Sequence, residues 1–69
     1  MNEIGSRVKQ LRKSQGLTQK AFAMRCNLVG LDISRGTLAK IEAQLRRVTD
    51  QEVRLLVEAL GVSVEVLYL

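Results

Sequence analysis

Thr18, Ser34, Thr49 and Ser63 each stand at the head of a segment whose apolar residues recur at helical spacing, while Gly16, Gly30 and Gly61 stand after such segments. A hydroxyl residue ahead of a helix accepts a hydrogen bond from one of its unpaired N–H groups, and glycine just past the end readily turns left-handed. Thr49-Asp50-Gln51-Glu52 adds a full capping box, with Thr at the cap and Glu three residues on. With no proline in 69 residues to interrupt them, these start and stop signals leave helices as the only regular structure the chain can build.

The apolar spacing fills in the elements. Ile4, Val8 and Leu11 follow i, i+4, i+7 and predict a first helix over roughly residues 2–15, with Leu17 a buried anchor after it. Phe22, Cys26 and Val29 repeat the pattern behind Thr18, widened by Ala23. Asn27 either stops this second helix or lets it run to Gly30; the persistence of the stripe favours the longer version. Leu38, Ile41 and Leu45 behind Ser34 predict a third helix over 35–44. Gly36 falls in its first turn, where it lowers helix propensity by about 1 kcal/mol relative to Ala. Val53, Leu56, Val57 and Leu60 mark a fourth helix to Leu60, and Val64 to Tyr68 a short fifth. The alternation of Val62, Val64 and Val66 is too short for a strand. The expected fold is all-α, a compact five-helix domain spanning 1–69 as a single unit near the lower size limit for an unstapled core.

Charge is unevenly distributed. The net value is +4, but residues 1–47 carry ten Lys and Arg against Glu3, Asp32 and Glu42, whereas residues 48–69 carry Arg54 against four acids. One part of the molecule is therefore suited to a polyanion, unless the charges are merely scattered and solvated. Chemistry is poorly supplied. There is no histidine, and the one cysteine, Cys26, lies on an apolar stripe and reads as a small core residue. An enzyme, a metal site, a cofactor and a small-molecule ligand are accordingly not expected. No apolar run approaches the roughly 20 residues of a membrane span and no leader is evident, so a cytoplasmic location is expected.

Five ordered landmarks carry a resemblance: Leu11-Arg12, Gly16-Leu17-Thr18-Gln19, Phe22-Ala23, Ser34-Arg35-Gly36-Thr37-Leu38-Ala39-Lys40-Ile41-Glu42, and Ala59-Leu60-Gly61-Val62-Ser63. On these the chain resembles the phage-repressor and Cro family of helix-turn-helix regulators, a resemblance that covers residues 4–67. That resemblance implies the lambda-repressor-like DNA-binding fold and sequence-specific binding of double-stranded DNA, with the third helix in the major groove and the second crossing the backbone. It implies base-contacting positions at Arg35, Gly36 and Lys40. Arg35 and Lys40 lie about 140° apart around a helix, so both border one face only if their long side chains reach inward. Arg suits the O6/N7 edge of guanine, and Lys40 can reach guanine or a phosphate. Gly36 cannot read a base; it either admits the backbone closely or gives up one contact. Gln19, Thr37, Arg46 and Arg47 are the implied phosphate contacts, although each is also an ordinary residue type for an exposed position.

Arg12 and Glu42 are implied to form a partly buried ion pair between the first and third helices, a structural role. The resemblance further implies a homodimer and a transcriptional regulator, a repressor in the first instance; an antitoxin or a protein-interaction module on the same fold is the alternative. The basic set of Arg35, Arg46 and Arg47 favours DNA. One departure is plain: Asn27-Leu28-Val29-Gly30-Leu31-Asp32-Ile33 is longer than the tight turn of the family. Leu28 and Leu31 are either both core, the favoured reading, or one of them is an exposed hydrophobic contact. The apolar ending Val64, Val66, Leu67, Tyr68, Leu69 either closes the core or forms a dimer surface.

Overall fold

A computed structural model describes residues 4–68. Four α-helices follow one another, α1 (Ile4–Ser14), α2 (Gln19–Leu28), α3 (Arg35–Glu42) and α4 (Asp50–Leu60), before a terminal 3-10 helix, Val64–Tyr68. There is no strand among the described residues, and no helix there is long and apolar enough to cross a membrane. The fold is all-helical, with the fifth element wound more tightly than an α-helix. Asn2, Glu3 and Leu69, which the sequence reading drew into the first helix, the charge balance and the apolar ending, lie outside the described residues.

The N-caps are built as their residue types dictate. Thr18 Oγ1 accepts from the Ala21 N–H at 3.0 Å and Ser34 Oγ from the Thr37 N–H at 3.1 Å. The capping box closes in both directions, Glu52 N–H to Thr49 Oγ1 at 3.2 Å and Thr49 N–H to Glu52 Oε1 at 2.9 Å. The C-termini share one device, in which a left-handed residue folds the chain back so that two N–H groups reach carbonyls of the last turn. After α2 the Leu31 N–H reaches Cys26 O at 2.8 Å and the Gly30 N–H reaches Asn27 O at 3.1 Å. The helix therefore passes Asn27 and ends at Leu28, with Gly30 at φ +97° turning the chain away.

The same reversal ends α3, with Leu45 N–H on Lys40 O at 2.9 Å and Gln44 N–H on Ile41 O at 3.0 Å. Here the left-handed position, φ +61°, is held by Gln44 instead of glycine. This is why α3 is shorter than expected. Once Gln44 reverses the chain, Leu45 leaves the apolar stripe and is 80% exposed. Leu28 also departs from the favoured core reading at 86% exposed, whereas Leu31 is buried.

Phe22, Leu38, Ile41, Leu56, Val8 and Cys26 are the largest fully buried side chains, so each of α1 to α4 contributes to one core. α1 packs on α3, α2 bridges α3 and α4, and the 3-10 helix lies against α1 and α4. The apolar ending divides: Leu67 is buried, while Val64 and Tyr68 are exposed. Where α1 crosses α3 the two backbones nearly touch at Gly5, a residue to which the sequence reading gave no role.

Candidate nucleic-acid interface

The Ser34 cap fixes where α3 begins and therefore which residues it turns outward. Leu38 and Ile41 point into the core, while Arg35, Gly36 and Lys40 are exposed. Arg35 and Lys40 make no side-chain hydrogen bond or ion pair among the described residues. Thr37 is half-buried, and its hydroxyl accepts from Ser34 Oγ at 3.2 Å, which leaves its own proton free to donate outward.

The basic residues of the N-terminal two-thirds divide into two sets. Arg7, Arg12, Arg25 and Arg46 are engaged inside the molecule. Arg7 Nε donates to Val66 O at 3.2 Å, and Arg25 Nη1 reaches toward Ala59 O at 3.5 Å. Lys9 and Lys13 on α1, and Lys20, Arg35, Lys40 and Arg47, are exposed and carry no such partner among the described residues. Unpaired exposed cations near a helix presented to solvent form a surface that counterions, or a phosphate backbone, can neutralise.

Arg46 belongs to the first set. Its Nη2 lies 2.7 Å from Glu52 Oε2 and its Nη1 lies 3.1 Å from Glu52 Oε1, with Nη1 also donating to Arg47 O at 3.0 Å. Much of its donor capacity is spent folding the α3–α4 connection, and Arg47 beside it is the residue that faces solvent unpaired. The hydrogen bonds from Arg46 hold the Glu52 carboxyl below its ordinary value of 4.5, against the opposing effect of partial burial, with help from the Thr49 N–H. A depressed carboxyl stabilises the fold only while it is ionised. Stability should therefore be complete above about pH 4.5 and fall as pH drops through the folded-state value. Thermal melts of parent and Glu52→Gln across pH 6 to 3 should converge on the acid side; a constant gap would show that the pair contributes nothing.

Gln19 is the first residue of α2, half-buried, and donates from Nε2 to Glu42 Oε1 at 3.1 Å. Glu42 in turn receives Arg12 Nε at 2.7 Å on Oε2 and Arg12 Nη2 at 3.0 Å on Oε1. Arg12 Nη1 completes the set on Leu17 O at 2.7 Å. Four segments thus meet at one ion pair: α1, the α1–α2 turn, the start of α2, and the end of α3. The amide of Gln19 is held at the head of α2, where the helix presents its unpaired N–H groups and favours an anion.

Sequence reasoning missed two positioning residues. Asn27 Nδ2 donates both to Ala23 O at 2.8 Å and to Ile33 O at 3.0 Å. It staples the long α2–α3 connection to α2, while Leu31 and Ile33 plug that connection into the core. An Asn within an otherwise helical pattern was the available signal, since its side chain competes for backbone carbonyls. Glu52 was read as a cap alone; its second partner, Arg46, follows only from the loop's path. Cys26 is fully buried, and burial pushes its thiol up to about 11, so it stays protonated at neutral pH.

No curated protein and no solved structure gives a significant match to the chain. The helix-turn-helix family model matches residues 8–67, a span that contains α2, α3 and the whole Arg12–Glu42–Gln19 junction. The chain belongs to the helix-turn-helix family of DNA-binding regulators, of the phage-repressor and Cro type.

Proposed function

We propose that the protein binds specific double-stranded DNA sequences as a homodimer and represses transcription by occupying its site, with α3 in the major groove. The observation that carries this reading is the presentation of Arg35 and Lys40 on the outward side of a Ser34-capped helix, both exposed and without a partner among the described residues. Arg35, at the first turn, reads guanine through O6 and N7, and Lys40 takes guanine or a phosphate one turn further on. Gln19, Thr37 and Arg47 hold phosphates around α3. Arg46 adds to them only through the donors that Glu52 leaves free. Two α3 helices one DNA turn apart require a dimer, for which Val64 and Tyr68 offer exposed apolar surface.

Selection from a random duplex pool tests the reading. The recovered sites should carry inverted half-sites about 10 base pairs apart. Binding to them should weaken with salt at a log–log slope of roughly −0.9 per phosphate neutralised. Arg35→Ala should lose about 1–3 kcal/mol of discrimination at a single base position. Equal weakening on all sequences would remove Arg35 from base reading, and an empty selection would remove the reading altogether.

A further inference from the structure

Gly36 is a glycine that the folded protein does not need. Its φ lies outside the left-handed range, unlike Gly16, Gly30 and Gly61. A Cβ built on it would meet nothing closer than Ser34 Oγ at 3.8 Å, which is ordinary contact distance. A methyl group fits there, and alanine would hold the first turn of α3 better. The contrast with Gly5, where a Cβ cannot be accommodated at all, is complete. Within α3, Gly36 stands about 200° from Leu38 and about 140° from Ile41, so it faces directly away from the two core residues. Lys40 lies about 40° to one side of it and Arg35 about 100° to the other. The bare backbone therefore occupies the outward pole of the helix, between the two free cations.

We propose that Gly36 is a close-approach residue: its missing side chain lets the backbone of α3 seat against the groove of duplex DNA, so that Arg35 and Lys40 reach the base edges from either side. This rests on the DNA-binding reading above and specifies how α3 meets the duplex. Glycine at this position costs the free protein stability, and what it provides is room on the side where only a ligand can stand. A side chain there would act as a spacer, lifting α3 and withdrawing both cations from the bases.

The test uses the duplex that the unsubstituted protein selects, with Gly36→Ala and Gly36→Leu. Gly36→Ala should raise the melting temperature by about 2–6 °C, because the unfolded chain loses freedom while the native turn accepts the methyl group. The same substitution should weaken duplex binding about tenfold, and Gly36→Leu about a hundredfold or more, in order of size. Opposite signs for stability and affinity are the signature, since a merely structural glycine would move both down together. Variants that bind as tightly as the unsubstituted protein would overturn this proposal and leave the DNA-binding reading intact. Failure of the unsubstituted protein to bind any duplex would overturn both.

Discussion

Gly5→Ala should lower the melting temperature by roughly 12–24 °C, the shift that about 3 kcal/mol produces in a domain of this size. The reason is a backbone crossing. A Cβ at Gly5 would stand 1.8 Å from the carbonyl oxygen of Ile41 and 2.9 Å from its carbon. Neither atom belongs to a side chain that can rotate away, so the helices themselves must part. Ile4 and Val8 on either side of Gly5 are buried, and Ile41 is fully buried, so separation opens the core where α1 meets α3. Overpacking a tight core typically costs about 1–3 kcal/mol, and a backbone-to-backbone clash belongs at the upper end. Against a total stability of roughly 3–10 kcal/mol for a chain this short, that is a large fraction. Helix propensity pulls the other way, since Ala is favoured over Gly by about 1 kcal/mol in a helix interior. The sign of the change therefore decides between the two effects. A melt by circular dichroism at or above the parental temperature would show that the α1–α3 crossing is looser than the structure has it.

That position illustrates where the sequence stopped being readable. Caps are local, and so Thr18, Ser34 and Thr49 placed the starts of α2, α3 and α4 to the residue. Gly61 likewise placed the end of α4, at φ +71°. The end of α3 was misjudged because a glutamine, Gln44, takes the left-handed role, and nothing in its residue type announces that. Leu45 was expected inside because periodicity reports that a face exists, not where a helix stops serving it, and the favoured core reading of Leu28 failed because residue type alone does not say which leucine of a connection turns inward. The candidate interface was legible in its geometry where that depends on a single helix: the cap, the spacing and the exposed charges of α3 are all written within nine residues. It was not legible where long-range partners decide. Arg46 and Arg47 look equivalent in sequence, yet the path of the α3–α4 connection gives Glu52 to one and solvent to the other. Gly5 and Gly36 look equivalent too, each a glycine in the first turn of a helix. Only the crossing of α1 over α3 reveals that the first is required by packing and the second is not.

Glu42→Ala should be the most damaging change at the junction of the helices, costing about 3–5 kcal/mol, because it strands a buried charge instead of merely deleting a contact. The side chains of Arg12 and Glu42 are only 7% and 2% exposed. With Glu42 gone, the Arg12 guanidinium keeps Leu17 O at 2.7 Å but has no counter-charge, and water can solvate it only if the core opens. Gln19 loses its acceptor at the same time, so the head of α2 loosens together with the α1–α3 contact. The magnitude depends on the stranded charge, and a double substitution isolates it. Arg12→Met with Glu42→Leu removes both charges while filling similar volume, and buried pairs replaced in this way are often neutral or even stabilising. The double variant should therefore melt well above Glu42→Ala and close to the parent. If Gln19 grips a phosphate as proposed, its affinity for the selected duplex should nonetheless fall, since no carboxylate remains to hold the Gln19 amide at the head of α2. Recovered stability with reduced binding would separate the two duties of Glu42, holding the helices together and aiming Gln19. A double variant as unstable as Glu42→Ala would instead mean that the hydrogen bonds of the junction, and not the stranded charge, set the cost.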